Sequence, residues 1–123
     1  MDAGAGGTHG TRYPTAVMTA PALPSPYVAS ASFEYSASYP AWKALDSSTS
    51  TQWWALTHNP PYSPPDWLQL DMGVATAIQS VWIKSTNNTA PQQSLTLEAS
   101  NDALSWTGLG STLITDKDGI WIL

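Results

Sequence analysis

The chain contains no cysteine. It therefore forms no disulfide, offers no thiolate to a metal and carries no cysteine nucleophile. That absence suits a reducing compartment, and it equally suits extracellular bacterial or viral proteins that dispense with bridges. Cations are nearly as scarce: Arg12, Lys43, Lys84 and Lys117 stand against nine Asp and Glu, for a formal net charge of −5. Neutralising a phosphate backbone takes clustered Lys and Arg, so nucleic-acid binding is disfavoured, as is polybasic attachment to anionic lipid. No run of about 18 apolar residues is present, which excludes a transmembrane helix. The first residues lack a basic stretch followed by a continuous apolar one, so no signal peptide is expected, and a place outside a cell would need another export route or partner polypeptide. Only two histidines occur, His9 and His58, and neither a Gly-x-Ser-x-Gly turn nor a His-Glu-x-x-His helix is found. The chain is not expected to be an enzyme.

What is present points to strands and turns. The 123 residues suffice for one domain with a single core. Charged residues make up 11%, against about 25% in ordinary soluble domains. Ser, Thr, Asn, Gln and Pro take their place, which suits short strands and argues against long helices. Seven Trp and five Tyr outnumber the single Phe. Both residues join an apolar body to a polar tip, so they serve cores and binding surfaces alike.

Residues 1–26 are dense in Gly, Ala, Thr and Pro and show no sustained period of two or 3.6. They read as an extended linker, or as an arm lying along a neighbouring subunit with Tyr13, Val17, Met18 and Leu23 as anchors. Residues 27–123 read as the folded domain. Val28, Ser30 and Ser32 alternate with Ala29, Ala31 and Phe33 on a first strand, and the loop Glu34 to Pro40 follows with Tyr35 and Tyr39. These tyrosines either pack against Trp42 or meet a ligand. Next comes a turn rich in hydroxyls, Asp46 to Thr51, abutting Trp53 and Trp54. After a proline-broken loop, Asp66-Trp67-Leu68-Gln69-Leu70-Asp71 alternates at period two, as a half-buried strand does. Ala77 to Lys84, Ser94 to Ala99, Trp106 to Ile114 and Ile120 to Leu123 read as further strands, with turns at Asn101-Asp102 and Asp116 to Gly119.

Taken in order, Ala44-Leu45-Asp46, Thr51, Trp53 and Trp67-Leu68-Gln69-Leu70-Asp71-Met72-Gly73 form a linked set of motifs. Val81-Trp82-Ile83 and Ser100-Asn101-Asp102 with Trp106 extend it. This set resembles the discoidin, or coagulation-factor C-type, domain family, which includes carbohydrate-binding modules. The resemblance implies an all-β fold, a discoidin-like jelly-roll β-sandwich, here with an extended N-terminal arm. Trp53, Trp67, Trp82 and Trp106 are expected to fill the space between its sheets. Family members continue past the equivalent of Leu123 with an Arg-Tyr-type strand and a closing strand bearing a Glu. The sheet here is therefore expected to be incomplete, completed by another chain, or closed by the arm, and an unpaired apolar edge favours association.

The resemblance also implies a structural calcium ion at the Asp46 turn, with Ala44, Asp46, Ser48 and Thr51 as ligands. A hard cation takes six to eight oxygens from carboxylates, hydroxyls and carbonyls, which this turn holds. The chain departs from the pattern at Ser47, where the family has Gly, at Ser48, where it has Asn or Asp, and in lacking the closing Glu. Asp46 and Thr51 serve equally well as partners that simply hydrogen-bond the turn. Sugar binding is the other candidate chemistry, because an aromatic face stacks on a sugar's C–H surface while planar polar groups bond its hydroxyls. Trp54, His58, Asn59 and Tyr62, with Tyr35 and Tyr39, are the candidate ligand residues. Trp54 and Tyr62 packing beneath their loop is the competing reading. The expected function is non-catalytic, lectin-like recognition or adhesion through loops at one end of the sandwich, with carbohydrate or a surface glycan as partner, at an extracellular, virion or cell-surface location. The alternative is a structural assembly protein, a virion or appendage component that uses the jelly roll and arm for subunit contacts in an oligomer.

Overall fold

The computed structural model describes residues 11–55, 66–83, 93–114 and 120–122. In chain order these hold strand β1 (Val28–Ala31), a single-turn 3₁₀ helix (Ala41–Ala44), and strands β2 (Leu68–Asp71), β3 (Val81–Ile83), β4 (Gln93–Ala99), β5 (Thr107–Ile114) and β6 (Ile120–Ile122). Among the described residues that 3₁₀ turn is the only helix, and the chain is all-β as its composition implies. The strands pair antiparallel as β1 with β2, β3 with β6 and β4 with β5. The last run, Ile120–Ile122, is thus hydrogen-bonded within its own chain, with Trp82 opposite Trp121. The chain divides into two compact units, one formed by Thr11–Thr76 and the other drawing on Ala77–Leu123.

In the Thr11–Thr76 unit the register of β1 and β2 sets Ala29 against Leu70 and Ala31 against Leu68. Facing residues of an antiparallel pair share a side, so these four form one face. Ala29 is buried on it, and Leu70 packs against a cluster of Met18, Tyr27, Ala29, Ala41 and Leu45. Met18 is the most enclosed large side chain, 1% exposed. The segment before β1, which reads as an extended linker or an arm, lends its methionine to a core made largely by later residues. An unbranched thioether adapts to an irregular gap of this kind. Hydrogen bonds hold the segment in place: Met18 N–H donates to the Leu45 carbonyl at 3.2 Å and Ala29 N–H to that of Pro21 at 2.8 Å. The Thr15 N–H also donates to the Tyr27 hydroxyl at 3.3 Å. Of the four anchors proposed for a neighbour, Met18 is buried and Tyr13 lies against this core, whereas Val17 and Leu23 are 46% and 54% exposed.

The expected four-tryptophan core needs correction. Trp67 is 50% exposed and Trp106 43% exposed, and Trp82 is only half-buried; Trp53, also half-buried, does pack against the core cluster. Strand alternation explains Trp67. Leu68 and Leu70 take the side of Ala29, which leaves Trp67 with Gln69 on the other. There Trp67 N–H donates to the Ser32 hydroxyl at 2.9 Å and its carbonyl accepts from Ser32 N–H at 2.9 Å. Trp106 follows directly on an exposed turn, residues 101–105.

In the second unit β4 and β5 form the longest ladder, from Gln93 opposite Ile114 to Ala99 opposite Thr107, with a bulge at Leu97/Glu98. The turn between them is organised by Asp102. Its Oδ1 accepts from Leu104 N–H and Ser105 N–H, both at 2.9 Å, and from the Ser100 hydroxyl at 3.0 Å. The expected turn at Asp116 to Gly119 lies outside the described residues.

Candidate binding site: an aromatic cluster on a tied loop

Pro40 is extended, at φ −71° and ψ 161°, and leads into the 3₁₀ turn without a side-chain cap of its own. A helix start leaves N–H groups without partners. Glu34 meets that need from the far end of the loop, its Oε1 accepting from Ala41 N–H at 2.8 Å. The loop is held at several further points. Trp53 Nε1 donates to the Phe33 carbonyl at 2.9 Å, Lys43 Nζ donates to that of Ser38 at 3.0 Å, and the Ser36 hydroxyl accepts from Ser38 N–H at 3.2 Å. Backbone bonds then join the loop to the second tryptophan. Tyr35 N–H donates to the Trp54 carbonyl at 2.8 Å, and Trp54 N–H to the Tyr39 carbonyl at 3.4 Å.

These bonds bring three of the six candidate ligand residues into one cluster. The Tyr35 and Trp54 rings stack with centroids 4.4 Å apart at 27°. Tyr39 meets Trp54 edge-to-face at 5.2 Å and 84° and lies 6.1 Å from Tyr35. All three separations suit favourable aromatic pairs. Trp54 is thus the ring partner of both tyrosines, in place of the expected Trp42. Trp42 instead packs against the core cluster, with Lys43 Nζ 5.7 Å from its ring centroid. Tyr35 is 48% exposed, while Tyr39 and Trp54 are half-buried. His58, Asn59 and Tyr62 lie outside the described residues. Glu34, Lys43 and Trp53 were missed as the residues that fix the loop. Pro40 was the visible sign of a helix start there, but nothing local marked Glu34 as the group that reaches it.

The candidate cation turn is closed by its own donors. Asp46 Oδ1 accepts from Ser48 N–H at 2.9 Å and Oδ2 from the Thr51 hydroxyl at 2.6 Å. Ser48 and Ser50 share a hydroxyl bond at 2.9 Å. Ser47, where the resembling family has Gly, holds φ at +62°. The turn offers a hard cation one carboxylate, two hydroxyls and carbonyls, which is a partial fit. Among the described residues no group of three His, Cys, Asp or Glu comes together.

Short antiparallel strands joined by hydrogen-bonded loops, with an aromatic cluster where one of those loops meets Trp54, make up an all-β domain. The sequence profile of the F5/8 type C domain family matches residues 28–120, well over half of the chain, and the chain belongs to that family. Neither the curated proteins nor the solved structures compared with it gave a significant match. Domains of this family generally mediate carbohydrate or phospholipid binding or adhesion, are typically non-catalytic, and occur in extracellular or surface proteins. Among the described residues no helix is long and apolar enough to cross a membrane.

Proposed function

We propose that this chain is a non-catalytic adhesion module that binds carbohydrate, as a free or surface glycan, at the Tyr35, Tyr39 and Trp54 cluster. The observation that carries this reading is the cluster itself: two tyrosine rings on a loop that at least six hydrogen bonds hold, and the ring of Trp54, whose backbone is bonded to it, with Tyr35 open to solvent. A sugar remains largely hydrated when bound, so a site for it gains most from a rigid apolar face that costs little entropy to order. The low cation count weighs against anionic phospholipid as the ligand. A calcium ion at the Asp46 turn belongs to this proposal as a structural ion; with one carboxylate its dissociation constant falls in the range of extracellular modules, about 0.1–1 mM. The test is a glycan array probed with the full chain and with a Tyr35→Ala, Trp54→Ala double variant of unchanged melting temperature. Binding by the wild type that the double variant loses supports the reading. Equal binding by both proteins, or none by the wild type, refutes it.

One observation favours subunit assembly as a second role. Val17 and Leu23 flank a segment fastened to its own domain by Met18, yet both present aliphatic side chains to solvent. A Val17→Ser, Leu23→Ser variant that stays monomeric where the wild type self-associates in light scattering would support an assembly contact. A wild type that is monomeric at all concentrations removes self-assembly.

A further inference from the structure

We propose that Tyr35, and not Trp54, is the ring on which the sugar stacks, and that Trp54 is a positioning residue that holds Tyr35 from behind. This inference deepens the glycan reading and rests on it. Tryptophan offers the larger face and is the natural first choice for a stacking platform. In this cluster one of its two faces is already taken. Tyr35 lies on it at a centroid distance of 4.4 Å and an angle of 27°. Tyr39 occupies a second side of the same indole at 5.2 Å and 84°. The indole is half-buried, with Tyr35 stacked on it and Tyr39 against it edge-to-face, and of the three residues Tyr35 is the exposed one.

Tyr35 has the opposite arrangement. One face rests on Trp54, and yet the residue is 48% exposed, more than Tyr39 or Trp54; the sugar is assigned to the face turned away from the indole. The backbone fixes the pair at its base, through the 2.8 Å bond from Tyr35 N–H to the Trp54 carbonyl. Tyr39 is tied into the same ring group by the bond its carbonyl accepts from Trp54 N–H. A side chain with two torsions, backed by one ring and flanked by another, loses little freedom when a ligand stacks on it. Recognition and support therefore fall to different residues of one cluster: Tyr35 contacts, Trp54 backs and Tyr39 braces.

The test uses the full chain and a panel of methyl pyranosides (galactoside, glucoside, mannoside, fucoside and N-acetylglucosaminide), with affinities from ligand-observed NMR. Tyr35→Ala is expected to weaken binding about tenfold with the melting temperature unchanged, and Tyr35→Phe to bind as the wild type does, because stacking needs the ring and not the hydroxyl. Trp54→Ala is expected to lose as much as Tyr35→Ala. Trp54→Phe, which keeps a ring beneath Tyr35, is expected to recover affinity to within about threefold. The proposal is overturned if Tyr35→Ala binds like the wild type, or if Trp54→Phe loses as much as Trp54→Ala. In both cases the pyranoside still binds the wild type, so the glycan reading survives. If no pyranoside and no arrayed glycan binds the wild type, the glycan reading falls and takes this inference with it.

Discussion

Two turns of this chain are built on the same plan, one at Asp46 and one at Asp102. In each, an aspartate is followed by a residue with positive φ, Ser47 at +62° and Ala103 at +59°. In each, the carboxylate gathers donors from nearby residues: Ser48 N–H and the Thr51 hydroxyl for Asp46, and the N–H groups of Leu104 and Ser105 with the preceding Ser100 hydroxyl for Asp102. Their settings differ. The Asp46 turn continues from Leu45, which is buried in the core cluster, and Asp46 itself is half-buried, whereas every residue from 101 to 110 is exposed. The resemblance implies a calcium ion at the first turn. Hydrogen-bonded closure is common to both, so closure is no mark of an ion site. What can set the Asp46 turn apart is its proximity to the core and the carbonyls of Ala44 and Thr51.

The comparison can be broken most forcefully at Asp46. Asp46→Ala removes two hydrogen bonds from a turn anchored beside the core and is expected to cost about 1–2 kcal/mol in chemical denaturation. A loss no greater than that of Asp102→Ala would make the two turns equivalent. Calcium comes next. At about 10 mM, an ion bound with a dissociation constant of about 1 mM stabilises the fold by about 1.4 kcal/mol, a rise in melting temperature of roughly 5 °C. That rise is expected in the wild type and in Asp102→Asn but not in Asp46→Asn. If the wild type shows none, calcium is removed from the account and Asp46 is left as a hydrogen-bonded turn of the Asp102 kind.

The shared backbone conformation predicts a shared, smaller effect. A side chain in the left-handed region is strained where Gly is not, so Ser47→Gly and Ala103→Gly are each expected to stabilise the protein by about 0.5–1 kcal/mol. Urea midpoints that fall for either variant would contradict the assigned turns. The smallest effect is on acid stability. Backbone N–H bonds from Ser105 and Leu104, then the Ser100 hydroxyl, hold the Asp102 carboxyl below its ordinary value of 3.8. A lowered folded-state pKa means that the unfolded chain binds the proton more readily, so the contribution is complete above the ordinary value and disappears as pH falls through the lower one. Asp102→Asn is expected to forfeit that small contribution at neutral pH and to show a shallower loss of stability as pH falls below about 4. A wild-type acid profile unaltered by the substitution would contradict this.

Much of this fold is written in local pattern. Period-two alternation found the strands Leu68–Asp71 and Gln93–Ala99 to within a few residues, and the linked motifs from Ala44 to Gly73 pointed to the family that the profile match shows. The choice of inward residues was harder. Alternation states that Leu70 and Trp67 face opposite ways but not which face is covered, and size alone favoured the wrong answer at Trp67. Met18 was hidden for a different reason: its segment has no period, and its burial depends on Leu45 and Tyr27, which lie well along the chain. The candidate site was legible only as a set of residue types. Its arrangement was not, because the pairing of Tyr35 with Trp54 comes from backbone bonds between segments almost twenty residues apart. Nearness in sequence had suggested Trp42.

The central claim is that a sugar meets this protein on the ring cluster of Tyr35, Tyr39 and Trp54. The most direct test is a titration of the isotope-labelled full chain with the tightest-binding pyranoside or arrayed glycan, following the aromatic ring resonances by NMR. Saturable shifts are expected, largest at the Tyr35 ring and smaller at Trp54 and Tyr39. A sugar that binds while all three rings stay unmoved would place the site elsewhere and contradict the claim.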